Sequence, residues 1–168
     1  SPVHNDDFVV IRSGNLHKKV TLADGSTILM NNNTLVKYHS DNDREFWVEG
    51  QALFDVKHSS KPGDAAIPFN VHAGIENITV LGTSFSVKSV DSTARIILIN
   101  GKVKASVRDK SMILKPGEKT EWRDSGFSME TVDTQLYMSW TDGEFHFNHT
   151  SLEALSGLIK DYYGYDLV

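Results

Sequence analysis

The chain of 168 residues contains no cysteine, which removes disulfide staples, thiolate metal ligands and cysteine nucleophiles together. That absence suits a bacterial cytoplasm, and equally a periplasmic domain that avoids adventitious oxidation. A basic stretch is missing too. The net charge is -5 and no Lys/Arg run exceeds Lys18-Lys19, so there is no cationic face to displace counterions from nucleic acid. No apolar run approaches the roughly 20 residues that span a bilayer, and no signal-peptide pattern opens at Ser1. Gly-x-Ser-x-Gly is absent, as is a glycine-rich loop ahead of a helix, which excludes a nucleophile elbow and a phosphate loop. Neither a repeat nor a low-complexity segment is present.

What is there is the composition of an ordinary globular protein, 39% hydrophobic and 23% charged, long enough for one well-buried core and part of a second. Residues 1–7 are polar. From Phe8 onward short strand patterns follow one another: Phe8–Arg12, Lys19–Leu22, Thr27–Met30, Thr34–Tyr38, Glu45–Val48, Ala52–Val56, Pro68–His72, Ile75–Leu81, Phe85–Lys88, Ala94–Ile99, Lys102–Val107, Met112–Leu114 and Lys119–Trp122. Turn chemistry separates them. Asp24-Gly25 and Asn100-Gly101 favour type I′ hairpins, in which both central residues take positive φ. Lys115-Pro116-Gly117-Glu118 has the proline and glycine of a type II turn. Strands at this spacing with no intervening helix predict a mainly β fold, an antiparallel β-sandwich over 8–130.

Two segments depart from this pattern. His58 to Ala66 has loop composition and is expected to project from the sandwich. After a connector at Thr131–Ser139 the periodicity changes. Phe145 and Phe147 alternate as in a strand, and Thr150-Ser151-Leu152-Glu153 makes a capping box. Leu152, Leu155, Leu158, Ile159 and Tyr162 then share one helical face, Gly164 is the stop, and Tyr165 to Val168 reads as a second strand. Residues 140–168 are thus expected to be the incomplete β-α-β start of a small α/β domain.

Candidate chemistry is sparse. His146-x-x-His149 has a metal-ligand spacing, but on a strand the two rings face opposite ways. His39, His58 and His72 fall in unrelated loops and strands, so no metal and no cofactor are expected. Asp24, Glu49, Asp55, Glu118 and Glu121 are separated by strand lengths and read as solubilising edge residues rather than a catalytic pair. Trp47, Trp122 and Trp140 would make a sugar-stacking platform only if two or more lined one exposed face; packing is the plainer reading. Gly82-Thr83 interrupts two apolar runs, which marks a bulge or a close backbone approach. It alone carries latent covalent chemistry, because a threonine hydroxyl held against its own preceding carbonyl can attack it and shift the acyl group from nitrogen to oxygen.

Read together, these stretches resemble the FecR family of anti-sigma factors. Val20 to Ser26 with Leu29-Met30-Asn31 is similar to its "VTLPDGS…LN" opening, and Val48 to Val56 to its "EGEAYFEV" strand. Pro68 to Ala73 is similar to "PFxVxA", Val80 to Val87 to "VLGTxFxV", Ile99 to Val103 to "LxGxV" and Leu114 to Glu118 to "LxPGE". The positions carrying the match are Asp24, Gly25, Gly50, Phe54, Gly82, Thr83, Phe85, Gly101, Pro116 and Gly117. Gln51 in place of an acid and Asn31-Asn32-Asn33 in place of a mixed turn are mild departures. Trp140 to Tyr165 resembles the opening of the secretin- and TonB-type short domain that follows FecR in many such proteins.

The resemblance implies a jelly-roll-like sandwich and a non-enzymatic role. It implies a cytoplasmic domain that holds an ECF-type sigma factor, one inner-membrane helix, and this chain as the periplasmic portion. The signalling domain of an outer-membrane TonB-dependent transporter, loaded with iron chelate or glycan, would be the partner, and Phe145, Phe147, Leu152, Leu155 and Tyr162 are candidates to meet it. Some members of the family cleave themselves at such a Gly-Thr, so Gly82 and Thr83 are the catalytic candidates of an autoproteolytic alternative. A carbohydrate-binding sandwich is the other alternative.

Overall fold

The computed structural model describes residues 7–59, 63, 65–142 and 151–163. The strands are β1 (Phe8–Arg12), β2 (Lys18–Thr21), β3 (Thr27–Met30), β4 (Leu35–His39), β5 (Asn42–Val56), β6 (Phe69–Ala73), β7 (Glu76–Val80), β8 (Thr83–Val90), β9 (Thr93–Asn100), β10 (Val103–Val107), β11 (Lys110–Leu114), β12 (Glu118–Arg123) and β13 (Gly126–Thr131). They pair as two sheets. The first runs β1-β4-β5-β6-β7-β10-β11 and the second β2-β3-β5-β8-β9-β12-β13. The chain is therefore mainly β, with its inner faces meeting as a sandwich does.

β5 belongs to both sheets. Its first half pairs with β4 and β6, its second with β3 and β8. The two expected strands Glu45–Val48 and Ala52–Val56 are one strand that changes sheet at Gly50. There φ is +102°, and a Cβ would lie 2.6 Å from Thr34 Oγ1 and 2.9 Å from Thr34 Cα. Thr34 Oγ1 bridges Gln51 N and Gln51 O at 3.1 Å each, so glycine is what lets β4 press against the bend. One pairing corrects the all-antiparallel expectation. β5 and β6 are parallel, with Glu45, Phe46 and Trp47 opposite Asn70, Val71 and His72, because the 57–68 connection returns the chain to the first sheet.

The core alternates as period 2 demands. Phe46 stacks on Phe69 in the first sheet (5.1 Å, 15°), and Phe54 on Phe85 in the second (5.2 Å, 8°). The two pairs meet edge to face, Phe46–Phe54 at 6.4 Å and Phe54–Phe69 at 6.1 Å. All four rings are fully buried, with Ile28, Val36, Val71, Ile78, Val87, Ile96 and Leu98 around them.

The turns both support and correct the sequence reading. Gly117 has φ +87° and Glu118 N donates to Lys115 O, which is the expected type II turn. Of Asp24-Gly25 and Asn100-Gly101, only the glycines take positive φ, so neither is type I′. Leu22 to Ser26 instead closes with Gly25 N donating to Leu22 O and Leu22 N to Ser26 O, a type I turn with a glycine bulge. The type I′ geometry lies at Asp124-Ser125, both with positive φ (49° and 75°), leading into β13. That strand was not among the sequence expectations, because Asp-Ser is a weak hairpin signal.

The chain divides into two compact units, 1–132 and 133–168. The second holds α1 (Thr134–Tyr137), a 3-10 turn (Ser139–Thr141) and α2 (Leu152–Tyr163); α1 and the 3-10 turn take the place of the expected connector. Asp133 caps α1 by accepting from Gln135 N. α2 begins one residue later than the capping box requires, so Ser151 and not Thr150 precedes its first residue. Glu153 in the first turn and Lys160 in the last complement the helix dipole. The strands expected around Phe145 and Phe147 and over Tyr165 to Val168, with Thr150 and Gly164, lie outside the described residues. Among the described residues no helix is long and apolar enough to cross a membrane.

Candidate functional site

Gly82-Thr83 is the sheet-to-sheet crossing between β7 and β8. Gly82 does not take positive φ; it is a close approach, since a Cβ would lie 3.2 Å from both the backbone nitrogen and the Cβ of His58 and would press on that residue. The close-approach reading therefore holds, and the irregular register falls instead between Ser84 and Phe85. Thr83 is buried. Its hydroxyl donates to Lys102 O at 3.0 Å and accepts from Lys102 N at 3.4 Å. Gly101, with φ +96°, lets this contact close, since a Cβ there would lie 2.7 Å from Gly82 O and 2.8 Å from Thr83 Oγ1. The geometry makes Thr83 a latch between the start of β8 and the β9–β10 turn. The proton that an N-to-O shift would need to shed points at a carbonyl, and among the described residues no side-chain base is bonded to the hydroxyl.

Other matched positions are structural in the same sense. Asp24 Oδ1 accepts from Ser26 N at 2.8 Å, closing its turn, while Oδ2 pairs with Arg44 Nη1 at 2.7 Å. Arg44, almost wholly buried, also donates to Ile67 O (2.8 Å) and Pro68 O (3.4 Å) and lies over the Phe69 ring. One guanidinium thus ties the end of the 57–68 loop to the β2–β3 turn. Residues 60–62 and 64 of that loop lie outside the described residues.

The separated carboxylates stay separate. Asp55 accepts from Ser84 (2.8 Å) and Lys57 (3.3 Å), Glu118 caps its own turn at Lys115 N (2.7 Å), and Glu121 pairs with Arg123. Sequence reasoning passed over Glu76. This residue is fully buried at the start of β7, on the apolar face with Ile78 and Val80. Burial pushes its carboxyl up from 4.5 to about 7, against the lowering effect of hydrogen bonds from Ala94 N and Trp122 N, and the nearby Glu121 adds to the rise.

Trp122 meets Phe127 edge on across β12 and β13 (4.9 Å), and Trp140 is buried in the 3-10 turn. Trp47 lines a groove. On the outer face of the first sheet Trp47 stacks on His72 (4.8 Å, 20°), and His39 (5.6 Å) and Phe8 (5.5 Å) stand edge on to it. Lys37 Nζ lies 4.9 Å from the Phe8 centroid. His72 Nε2 meets Glu45 at 2.8 Å and its Nδ1 meets Asn77. Of these residues Lys37, Trp47 and His72 line a groove of about 480 Å³, together with Leu35, Glu49 and Asp91. His39 and His72, unrelated in sequence, are thereby brought to the two sides of one indole, because β4 and β6 flank β5. Among the described residues no group of three or more His, Asp or Glu could hold a metal ion.

Of the partner candidates, Leu152 is 81% exposed and Leu155 half-buried, while Leu158 is buried on the same helix. Phe145, Phe147 and the Tyr162 side chain lie outside the described residues.

The described residues thus form a sandwich knitted by one shared strand and, as a separate unit, a short helical segment. The FecR protein family model matches residues 9–104. Two crystal structures of a candidate anti-sigma factor from Parabacteroides distasonis ATCC 8503 are similar to this chain. Each has a TM-score of 0.73 at 27% identity, covering 94% and 93% of this chain and 75% of the other. No curated protein matches. The chain belongs to the FecR family, whose members are membrane anti-sigma factors, and its role is anti-sigma-factor signalling with a sigma factor as the general partner.

Proposed function

We propose that this chain is the periplasmic, signal-receiving region of its anti-sigma factor. It binds the signalling domain of a TonB-dependent outer-membrane transporter and so controls release of an ECF-type sigma factor. The observation that carries the reading, beyond the family match, is Leu152. A large apolar side chain left 81% exposed at the start of an amphipathic helix is the anchor that helix-to-partner packing uses. Recognition, not turnover, is then the work of the molecule.

The test is capture by the periplasmic extensions of the same organism's TonB-dependent transporters. One of them is expected to bind, and Leu152→Asp to weaken binding by at least about tenfold, the effect of losing ~1.4 kcal/mol at an apolar anchor. Binding by none of them, or unchanged binding by the variant, overturns the assignment.

In this reading Gly82-Thr83 serves the fold and is not cleaved. Purified protein is expected to run as a single band on a denaturing gel, because the Thr83 hydroxyl is committed to Lys102 on both its donor and acceptor sides. Two fragments divided at Thr83, restored to one by Thr83→Ala, would establish the autoproteolytic alternative instead.

A further inference from the structure

At one end of the sandwich the tips of two hairpins, one from each sheet, are bonded to each other. Ile75 N in the β6–β7 tip donates to Ser92 O in the β8–β9 tip at 2.9 Å. Gly74, with φ +59°, permits the approach, since a Cβ there would overlap the Ser92 carbonyl. The next residue, Glu76, reaches across into the second sheet. The β9–β12 ladder stops at the pair Glu121/Arg95. One step further, where Trp122 and Ala94 would continue it, the carboxylate oxygen Oε1 of Glu76 accepts from both backbone N–H groups, each at 3.2 Å. Its Oε2 is buried and has no hydrogen-bond partner among the described residues.

A carboxyl group so placed has two states of unequal worth. Neutral, it satisfies two strand N–H groups that would otherwise be buried without acceptors, and the proton resides on Oε2. Ionised, it accepts more strongly from those two N–H groups but puts a desolvated charge in the core with no cation bonded to it among the described residues, and desolvation is the larger effect. The charged groups on the elements around it are Glu118, Lys119, Glu121 and Arg123 of β12 (Glu121 paired with Arg123 and Lys119 with Glu130), Arg95 of β9, Lys104 of β10, Lys110 of β11 over the Trp122 ring, and Asp91 of the β8–β9 tip; of these, Glu121 acts on it with like charge.

We propose that Glu76 is a proton-operated pin: neutral, it locks the β7 end of the first sheet to the open end of the β9–β12 ladder, and ionised, it releases that corner. This property belongs to the sandwich by itself and does not rest on the transporter assignment. Gly74 and Asp91 of the two tips also line the groove beside Trp47, so loosening the corner alters the end wall of that groove. Ambient pH thereby sets how firmly one end of the domain is held.

The direction follows from the raised proton affinity. The folded state holds the proton up to about pH 7 and the unfolded chain only to 4.5. The stabilisation is full below 4.5, declines as pH rises, and is gone above about 7. Between pH 5 and pH 8 the linkage amounts to about 70-fold in the unfolding equilibrium constant.

The experiment compares wild type with Glu76→Gln, a neutral isostere that keeps the Oε1 acceptor. Denaturant unfolding is measured at pH 5 and pH 8, with hydrogen exchange of the Ala94 and Trp122 amides followed by NMR. The ratio of the wild-type to the variant unfolding constant is expected to rise about 70-fold across this range. The two amides are expected to lose protection at high pH in wild type only. A pH-independent ratio, or equal protection in both proteins at pH 8, overturns the pin. If Glu76→Gln does not fold, the side-chain carboxyl 13C shift of Glu76 in wild type decides. A midpoint near neutrality upholds the proposal, and one near the ordinary carboxylate value refutes it.

Discussion

Gly50→Ala is expected to lower the stability of the β-sandwich by about 4 kcal/mol, from strain of ~1–3 kcal/mol for a side chain at φ +102° and ~1–3 kcal/mol of overpacking. The two contributions have different sources and cannot relieve each other. The strain is local to the backbone, whereas the overlap is with Thr34 Cα, a backbone atom just ahead of β4, and a rotamer change does not move it. If β4 shifts to make room, the Thr34 hydroxyl loses its bonds to Gln51 at the point where β5 changes sheet. A melting curve checks this. The midpoint should fall by roughly 15 °C for a domain of this size, and a variant melting within a few degrees of wild type would show that the crossing does not need glycine.

Phe54→Ala should cost a comparable ~3–5 kcal/mol, the usual range for emptying a buried phenylalanine site. Phe54 is the ring common to three contacts, stacked on Phe85 and edge on to Phe46 and Phe69, so its loss uncouples the aromatic pairs of the two sheets. Phe54→Leu keeps most of the volume and loses only the ring geometry, at a cost of order 1–2 kcal/mol. Chemical denaturation of both variants separates cavity from ring contacts. Equal costs for Leu and Ala would mean that filling the space is not what matters at this position.

Both residues lie in stretches that the sequence marks, for different reasons. Phe54 alternates with Ala52 and Val56, so period 2 places it on an inner face without any knowledge of the partner strand. Gly50 interrupts one run of apolar alternation, and the interruption reads equally as a gap between two strands or a bend within one. Deciding between them requires the strands that pair with the two halves of β5, of which β4 adjoins it in sequence while β3, β6 and β8 lie further off. The same asymmetry governs the turns. Pro116-Gly117 was legible because both residues prefer a single geometry, whereas Asp124-Ser125 adopts type I′ angles only because β12 and β13 pair around it.

The candidate sites divide along that line too. Period 2 puts Glu76 on the face of Ile78 and Val80, which is visible in the sequence, but an acid on an apolar face acquires meaning only from what it meets. Ala94 and Trp122 come from strands of the other sheet. Trp47 and His72 are likewise ordinary residues of two strands until parallel pairing of β5 with β6 stacks them. Thr83 stands out in the sequence for its place after Gly82, and only the tertiary structure brings its hydroxyl to the backbone of Lys102.

Local chemistry, carried by alternation and turn residues, was enough to determine a mainly β chain with a helical segment near its end. Those signals arise from backbone preferences and side-chain parity, which act over a few residues. Which strand is shared by both sheets, which carboxyl is sealed from water and which rings touch were decided only by the tertiary structure. Desolvation and cross-sheet hydrogen bonds depend on residues that the chain brings together from dozens of positions apart.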